Sequence, residues 1–241
     1  MDTTIQQEDI GLLGRMLGVF HAPRKTFTAV RGRQDWLDWF VPSMLLVAVT
    51  IAFTSYFMPL LMKSQPMLER LEEMPGPLPP AETMQSIFAI TQIIGIPFTI
   101  FSLLFVGGLI IFLGARFALG AEVSYSQILA AFAYASLLDI GDIAAQILPM
   151  MLRGEVIPGG FSLAALLPKD MSTSFIAALL ANLGNPFFWW KLYLGSIALA
   201  LIGNISLRKA AIGVFGLGII ARISTAAFTW MMSTLTPNLP A

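Results

Sequence analysis

The stretch "TQIIGIPFTIFSLLFVGGLIIFLGARF", residues 91–117, decides the fold, because it has no charged side chain before Arg116. A helix rises about 1.5 Å per residue and needs about 20 mainly apolar residues to cross the hydrocarbon of a bilayer. The whole apolar stretch, residues 84–117, is longer than one straight crossing requires, and Gly95 and Pro97 predict a kink within it. We therefore expect membrane-spanning helices.

Composition supports this expectation. The chain has 241 residues, of which 56% are hydrophobic and 12% are charged, whereas soluble domains carry about 25% charged residues. Fourteen basic and fourteen acidic side chains cancel, so no net charge points to nucleic acid as a partner. The sequence contains no cysteine, which excludes disulfides, thiolate metal sites and a cysteine nucleophile.

Five stretches are long and apolar enough to cross a membrane, and they predict an all-α bundle of five transmembrane helices. A shorter apolar piece, residues 174–184, is expected to be an interfacial helix or a leading extension of the fourth span. The predicted domains are a cytoplasmic segment over 1–38, the membrane domain over 39–232 and a short extracytoplasmic tail over 233–241. The five predicted spans are residues 39–61, 84–117, 125–152, 186–203 and 210–232.

Basic residues predict the orientation of the bundle. Eight lie in the N-terminal segment and in the second-to-third and fourth-to-fifth connections, and four lie on the other side. The positive-inside rule therefore places the N-terminus in the cytoplasm and the C-terminus outside. The outer connection "KSQPMLERLEEMPGPLPPAET", residues 63–83, is acidic and proline-rich; it is either a solvated connector or a docking surface.

The N-terminal segment "IGLLGRMLGVFHAPRKTFTAV", residues 10–30, reads as two amphipathic helices, the second with Pro23 in its first turn. We expect the first, whose apolar side chains are Ile10, Leu13, Leu17 and Phe20, to lie in the inner headgroup layer. Packing on cytoplasmic loops of the same bundle is the alternative. The expected membrane-surface contacts are Arg15, Arg24, Lys25, Arg31, Trp36 and Trp39.

Two carboxylates interrupt the third predicted span, in "ASLLDIGDIAAQ", residues 135–146. Asp139 and Asp142 are three residues apart, so on a helix they share one side. A charge at the bilayer centre costs at least about 2.5–3.5 kcal/mol, so the chain must neutralise each carboxylate by pairing, protonation or water. Matching depths along the helices pairs Asp139 with Arg222 and Asp142 with Lys191, which predicts a buried four-charge cluster joining the last three spans.

Three interpretations of this cluster remain open. It could fix helix register only, it could line a polar cavity for ions, protons or a lipid headgroup, or the Asp142 region could mark a boundary close to water. An intramembrane aspartyl protease is not expected, because both carboxylates lie on one helix. His21 is the only histidine and no nucleophile signature is present. We therefore expect no enzyme, no metal site and no cofactor.

Four motifs follow one another along the chain: "APRKTF", "WFVPSMLL", "LGAEVSYSQILAAFAYASL" and "NPFFWWKLYLGSIALALIGNISLRKA". Their order resembles the bacterial branch of the Yip-domain family, the Ypt/Rab-interacting-protein type. The resemblance implies a five-helix membrane domain without known catalysis. Eukaryotic members of that family are implicated in vesicle traffic with small GTPases, and some bacterial members accompany transport systems. Residues 138–142 depart from the family pattern, so no family role transfers to the two aspartates.

Two functions follow from these observations. The first is a non-enzymatic accessory or scaffold subunit that associates with another membrane protein, such as a transport complex, or with a second copy of itself. The second is a small permease or proton-coupled transporter that uses the four-charge cluster. Both functions have the lipid bilayer as a partner, and neither has nucleic acid.

Overall fold

The computed structural model describes residues 10–33, 35–62, 81–153, 161–168, 171 and 174–235. The predicted outer connection lies outside the described residues up to residue 80, and so does the tail from residue 236. Every regular element among the described residues is helical. The predicted all-α class is therefore confirmed for this part of the chain.

The described residues form eleven α-helices. The first two helices, α1 and α2, form the N-terminal segment, and the helices α4, α5 and α6 are joined by π-helical turns into one continuous run. The bounds are α1 Leu12–His21, α2 Pro23–Arg31, α3 Leu37–Met62, α4 Ala81–Ile90, α5 Ile96–Ser102, α6 Gly108–Leu113, α7 Tyr125–Ser136, α8 Leu138–Arg153, α9 Phe175–Leu183, α10 Pro186–Ile202 and α11 Leu207–Leu235.

Four helical stretches are long and apolar enough to cross a membrane: Leu37–Met58, Ser86–Ala118, Tyr125–Leu152 and Leu207–Met232. They correspond to four of the five predicted spans. The remaining one, α10, has 17 residues, and at ~1.5 Å per residue it is about 25 Å long, at the lower limit for a crossing. Residues 174–184 are not part of it, because α9 ends before Gly184 and α10 starts anew at Pro186.

The long second stretch contains three π-helical turns, at Thr91–Gly95, Leu103–Gly107 and Gly114–Ala118. The first of them ends at Gly95, at the place where the sequence predicts a kink. Each π turn inserts an extra residue into the helix and shifts the faces that follow. Gly108 directly follows the second π turn and lies against the third stretch, where an added Cβ would lie 2.8 Å from the Leu129 side chain.

Two compact units make up the chain. The first contains Met1–Leu45, Phe101–Leu138 and Trp190–Gly216, and the second contains Leu46–Ile100, Asp139–Trp189 and Leu217–Ala241. A buried cluster of Leu104, Leu129 and Ala133 lies in the first unit, and the rings of Trp39, Phe101, Tyr125 and Phe132 pack against it.

The N-terminal helices pack tightly on each other and on the rest of the first unit. As predicted, Pro23 begins α2 at a position where its missing N–H costs nothing. An added Cβ on Gly18 would lie 2.4 Å from the Thr26 hydroxyl, so only glycine permits this approach of α1 to α2. Phe27 and Val30 are fully buried, and the Gln127 amide on α7 donates to the carbonyl of Arg31 over 2.6 Å.

We expect Gly203→Ala to destabilise the protein, because the new Cβ would lie 2.8 Å from Ala121 and 2.9 Å from the Leu199 carbonyl. Such overpacking costs about 1–3 kcal/mol. Gly216→Ala is the matched control, since a Cβ there meets nothing within 4 Å and removing a helical glycine stabilises by about 0.5–1 kcal/mol. Thermal unfolding of the full chain in detergent measures both; equal Tm values for the two variants would contradict the packing.

Candidate functional site

The best-defined polar site is a buried ion pair in the first unit. Arg15 comes from the middle of α1, Asp38 is the second residue of α3, and Tyr134 lies near the end of α7. All three side chains are withdrawn from solvent, with Arg15 3%, Asp38 1% and Tyr134 0% exposed. The site therefore joins the N-terminal helix to the Leu37–Met58 and Tyr125–Leu152 stretches, which are long and apolar enough to span a membrane.

One oxygen of the Asp38 carboxylate receives every contact. The Arg15 guanidinium approaches Oδ1 with Nη2 at 2.7 Å and donates to it from Nε at 2.9 Å. The Tyr134 hydroxyl donates to the same oxygen over 2.6 Å and accepts from Arg15 Nε over 3.1 Å. A further Arg15 nitrogen donates to the carbonyl of Ile10. We call these three side chains the Arg15–Asp38–Tyr134 triad.

The charges of the triad balance within a small volume. Burial by itself lowers the pKa of the Arg15 guanidinium, but the phenol of Tyr134 and the carboxylate of Asp38 outweigh it, so the net pKa is raised. Arg15 consequently stays charged at any physiological pH. Asp38 Oδ2 is buried and has no hydrogen-bond partner among the described residues. The ion pair is therefore formed through Oδ1 alone.

The prediction that Arg15 contacts the membrane surface is wrong. Because Arg15 lies in an amphipathic helix, the sequence predicts a surface cation. The structure instead buries the face of α1 that contains Arg15, Met16 and Val19. Sequence reasoning missed Asp38 and Tyr134 as well. A tyrosine inside an apolar run was the available signal, because a buried phenol usually finds a hydrogen-bond partner.

The other predicted surface residues lie as follows. Arg24, Lys25, Arg31 and Trp36 are exposed, so their contact with lipid remains a prediction. Trp39 is only partly exposed: its ring lies edge-on to Phe105, with centroids 5.5 Å apart, and it packs against the first unit's buried cluster.

The second unit holds Asp142 in a group of amides. Its Oδ1 accepts from the side chain of Asn185 over 2.8 Å and from Gln146 over 3.1 Å. The Asn185 side-chain oxygen accepts from the backbone N–H of Phe187 over 2.8 Å, at the first turn of α10. Amide donors from a neighbouring segment and from one helical turn away thus solvate this carboxylate.

The second unit also holds Arg222, whose guanidinium carbon lies 5.1 Å from the centre of the Phe188 ring. Its Nη1 is 3.4 Å from the side-chain oxygen of Asn182. Depth matching pairs Arg222 with Asp139 and Asp142 with Lys191, and these two pairings stay predictions.

The remaining two members of the predicted cluster are partly buried. Lys191 lies in the first unit with its Nζ 5.6 Å from the centre of the Phe132 ring, and Asp139 lies in the first turn of α8. The grouping of all four charges at one site stays a prediction. Within the described residues, no three His, Cys, Asp or Glu side chains are arranged to hold a metal ion.

These features define the class of protein: an all-helical, multi-pass membrane protein whose N-terminal helices dock on its spans. The family can also be stated. The family model described as the Yip1 domain matches residues 17–229, which is most of the chain, so the chain belongs to the Yip1 domain family. This confirms the family resemblance, while the bacterial branch remains a prediction. No curated protein and no solved structure matches the chain.

We expect Arg15→Leu to lower the free energy of unfolding by about 3–5 kcal/mol, because it leaves the Asp38 carboxylate buried without its cation. Arg15→Leu combined with Asp38→Leu should lose less than Arg15→Leu alone, since no unpaired charge remains. Arg24→Leu, at an exposed cation of the next helix, is the control and should change stability by no more than about 0.5 kcal/mol.

Denaturant unfolding of the full chain in detergent measures these differences. Equal stability of Arg15→Leu and Arg24→Leu would show that the triad does not hold the N-terminal helix. A double variant less stable than Arg15→Leu would show that the pair acts through more than its two charges.

Proposed function

We propose that this Yip1 family protein is a non-enzymatic accessory or scaffold subunit of another membrane complex, such as a transport system. In this proposal α10 is the fifth crossing, the N-terminus lies in the cytoplasm and the C-terminus lies outside a bacterial inner membrane. The observation that carries the proposal is the Arg15–Asp38–Tyr134 triad, because it makes the N-terminal helices a fixed part of the bundle.

A fixed N-terminal segment presents its outer face in a constant orientation. That face carries Leu13 and Leu17, which are 73% and 65% exposed. The cations Arg24, Lys25 and Arg31 are exposed on α2, and α3 begins at Leu37, only a few residues farther along. In our proposal the leucines enter the inner headgroup layer and the cations contact anionic lipid.

The spans themselves supply the surface for a lateral partner. Only 6% of the apolar window in the Leu207–Met232 stretch and 11% of that in the Ser86–Ala118 stretch are buried within the chain. Large apolar side chains such as Ile94 and Ile220 point outward from them. Such helices meet either lipid or the helices of another membrane protein, and a scaffold uses the second option.

The position of the N-terminal helices can be tested with a single label, because the chain contains no natural cysteine. We expect an environment-sensitive fluorophore on Leu17→Cys to show blue-shifted emission and quenching by spin-labelled lipid in reconstituted vesicles. The same fluorophore on Glu122→Cys, an exposed loop position, should show neither. Water-like emission at both positions would contradict membrane-surface contact.

The scaffold function predicts a stoichiometric partner. Affinity purification of the tagged full chain in several mild detergents should recover one membrane protein at a constant ratio. Ile220→Trp, which enlarges an outward side chain on α11, should weaken that association without changing Tm if the partner packs there; Ile94→Trp makes the same test on the second span. Repeated recovery of the chain alone, in every detergent, would argue against the scaffold.

A small permease or proton-coupled transporter is the second candidate. The observation that favours it is the amide-solvated Asp142 carboxylate within the Tyr125–Leu152 stretch, which is long and apolar enough to cross a membrane. Recovery of the chain without any partner, together with proton uptake by proteoliposomes that Asp142→Asn abolishes, would favour this candidate over the scaffold.

A further inference from the structure

The surroundings of Arg222 form a second polar site. Along α9 and the start of α10, Phe175 meets Trp230 with ring centroids 5.7 Å apart, and Asn182 and then Phe188 meet Arg222. This segment therefore runs antiparallel to α11, and the helix interruption between α9 and α10 lies at the level of the guanidinium. We call Arg222, Asn182 and Phe188 the Arg222 site.

Helix lengths set the depth of this site. Arg222 is 15 residues beyond Leu207 and Phe188 is 14 residues before Ile202, which at ~1.5 Å per residue are about 22 and 21 Å. The two lengths agree. If the turn between α10 and α11 lies at one face of a ~30 Å hydrocarbon core, the Arg222 guanidinium lies about 8 Å below the opposite face. A long arginine side chain can extend toward that face.

Neighbouring aromatic residues support the same level. Trp189 follows Phe188, is exposed, and donates its indole N–H to the Leu183 carbonyl over 2.7 Å. Trp190 is exposed as well. Tryptophans concentrate where hydrocarbon meets headgroups, so the Arg222 site lies within reach of lipid headgroups.

The Arg222 guanidinium has more N–H donors than its contacts with the described residues use. It is exposed, and of its five N–H donors one approaches the Asn182 oxygen at 3.4 Å. The Asn182 amide nitrogen donates to the Ala178 carbonyl over 2.9 Å, which turns the side-chain oxygen toward Arg222. The ring of Phe188 fixes one face of the guanidinium. The remaining N–H groups form a fork that suits a tetrahedral anion.

We infer that the Arg222 site binds the phosphodiester of a phospholipid in the leaflet opposite the Arg208–Lys209 turn. The charge is complementary, the depth is that of headgroups, and α11 faces outward. A cation in this position needs an anion, because an unpaired charge near hydrocarbon is costly. The inference goes beyond the proposed function and holds whether the chain is a scaffold or a permease.

Native mass spectrometry of the purified full chain, titrated with phosphatidylglycerol, tests the inference. We expect Arg222→Gln to weaken the tightest phosphatidylglycerol site about tenfold, and Arg222→Lys to weaken it less because it keeps the charge but loses the fork. Arg208→Gln, at the other end of α11, is the matched control and should leave that site within about twofold, because it removes an exposed cation on the opposite membrane face.

Two further arms identify the anion. A glycolipid without phosphate should not occupy the site, and millimolar inorganic phosphate should not displace phosphatidylglycerol, because it lacks the acyl chains that anchor the lipid. Displacement by inorganic phosphate would overturn the lipid assignment. Unchanged phosphatidylglycerol binding in Arg222→Gln would also overturn it. If that variant in addition loses a co-purified membrane protein, the anion at the wild-type site is a carboxylate of that protein.

If Arg222→Gln does not fold, Asn182→Ala decides the question, because it leaves the charge in place and removes only the group that orients it. Weaker phosphatidylglycerol binding by Asn182→Ala and Arg222→Lys supports the site, and wild-type binding by both overturns it. Tm measured with and without phosphatidylglycerol gives a second readout: the stabilisation by lipid should shrink in the same variants.

Discussion

The first unit depends on the cost of burying a charge. The Arg15 guanidinium can leave water only if a carboxylate accompanies it, and Asp38 supplies one at the first turn of α3, with the Tyr134 hydroxyl completing the contact from α7. Because these side chains come from three helices, the requirement to neutralise one charge fixes the place of the N-terminal helix. Val19 of the same helix and Phe27 of α2 are fully buried as well.

Polar groups in the second unit are handled differently. Asp142 is solvated by the amides of Asn185 and Gln146, and Arg222 by the Asn182 amide and the face of an aromatic ring. Amides and rings lower the cost of a charge without cancelling it, so a site of this kind keeps an attraction for an external ion. The triad of the first unit, by contrast, is closed by opposite charges. Because of this difference, we assign a structural role to the triad of the first unit and propose ligand binding at the Arg222 site of the second unit.

Membership of the Yip1 domain family places the chain among multi-pass membrane proteins that are generally non-enzymatic. Family membership does not name a partner or a ligand, so the arguments for both must come from this chain's own residues. The N-terminal helices carry exposed leucines and cations, which in our proposal contact a membrane surface. The outward-facing spans offer apolar area to a neighbour. A scaffold needs both features: an anchor that fixes its depth and a lateral face that another protein can occupy.

The sequence alone determined the helical class, the position of four spans and the family, because long apolar runs and motif order are properties of the chain itself. It also gave Pro23 as the start of α2. Only the tertiary structure decided that Arg15 is buried, that Tyr134 contacts Asp38, and that Asn185 and Asn182 serve Asp142 and Arg222. Hydropathy and helical period give the depth of a side chain and its face, but a partner from a distant segment is fixed only when the helices pack.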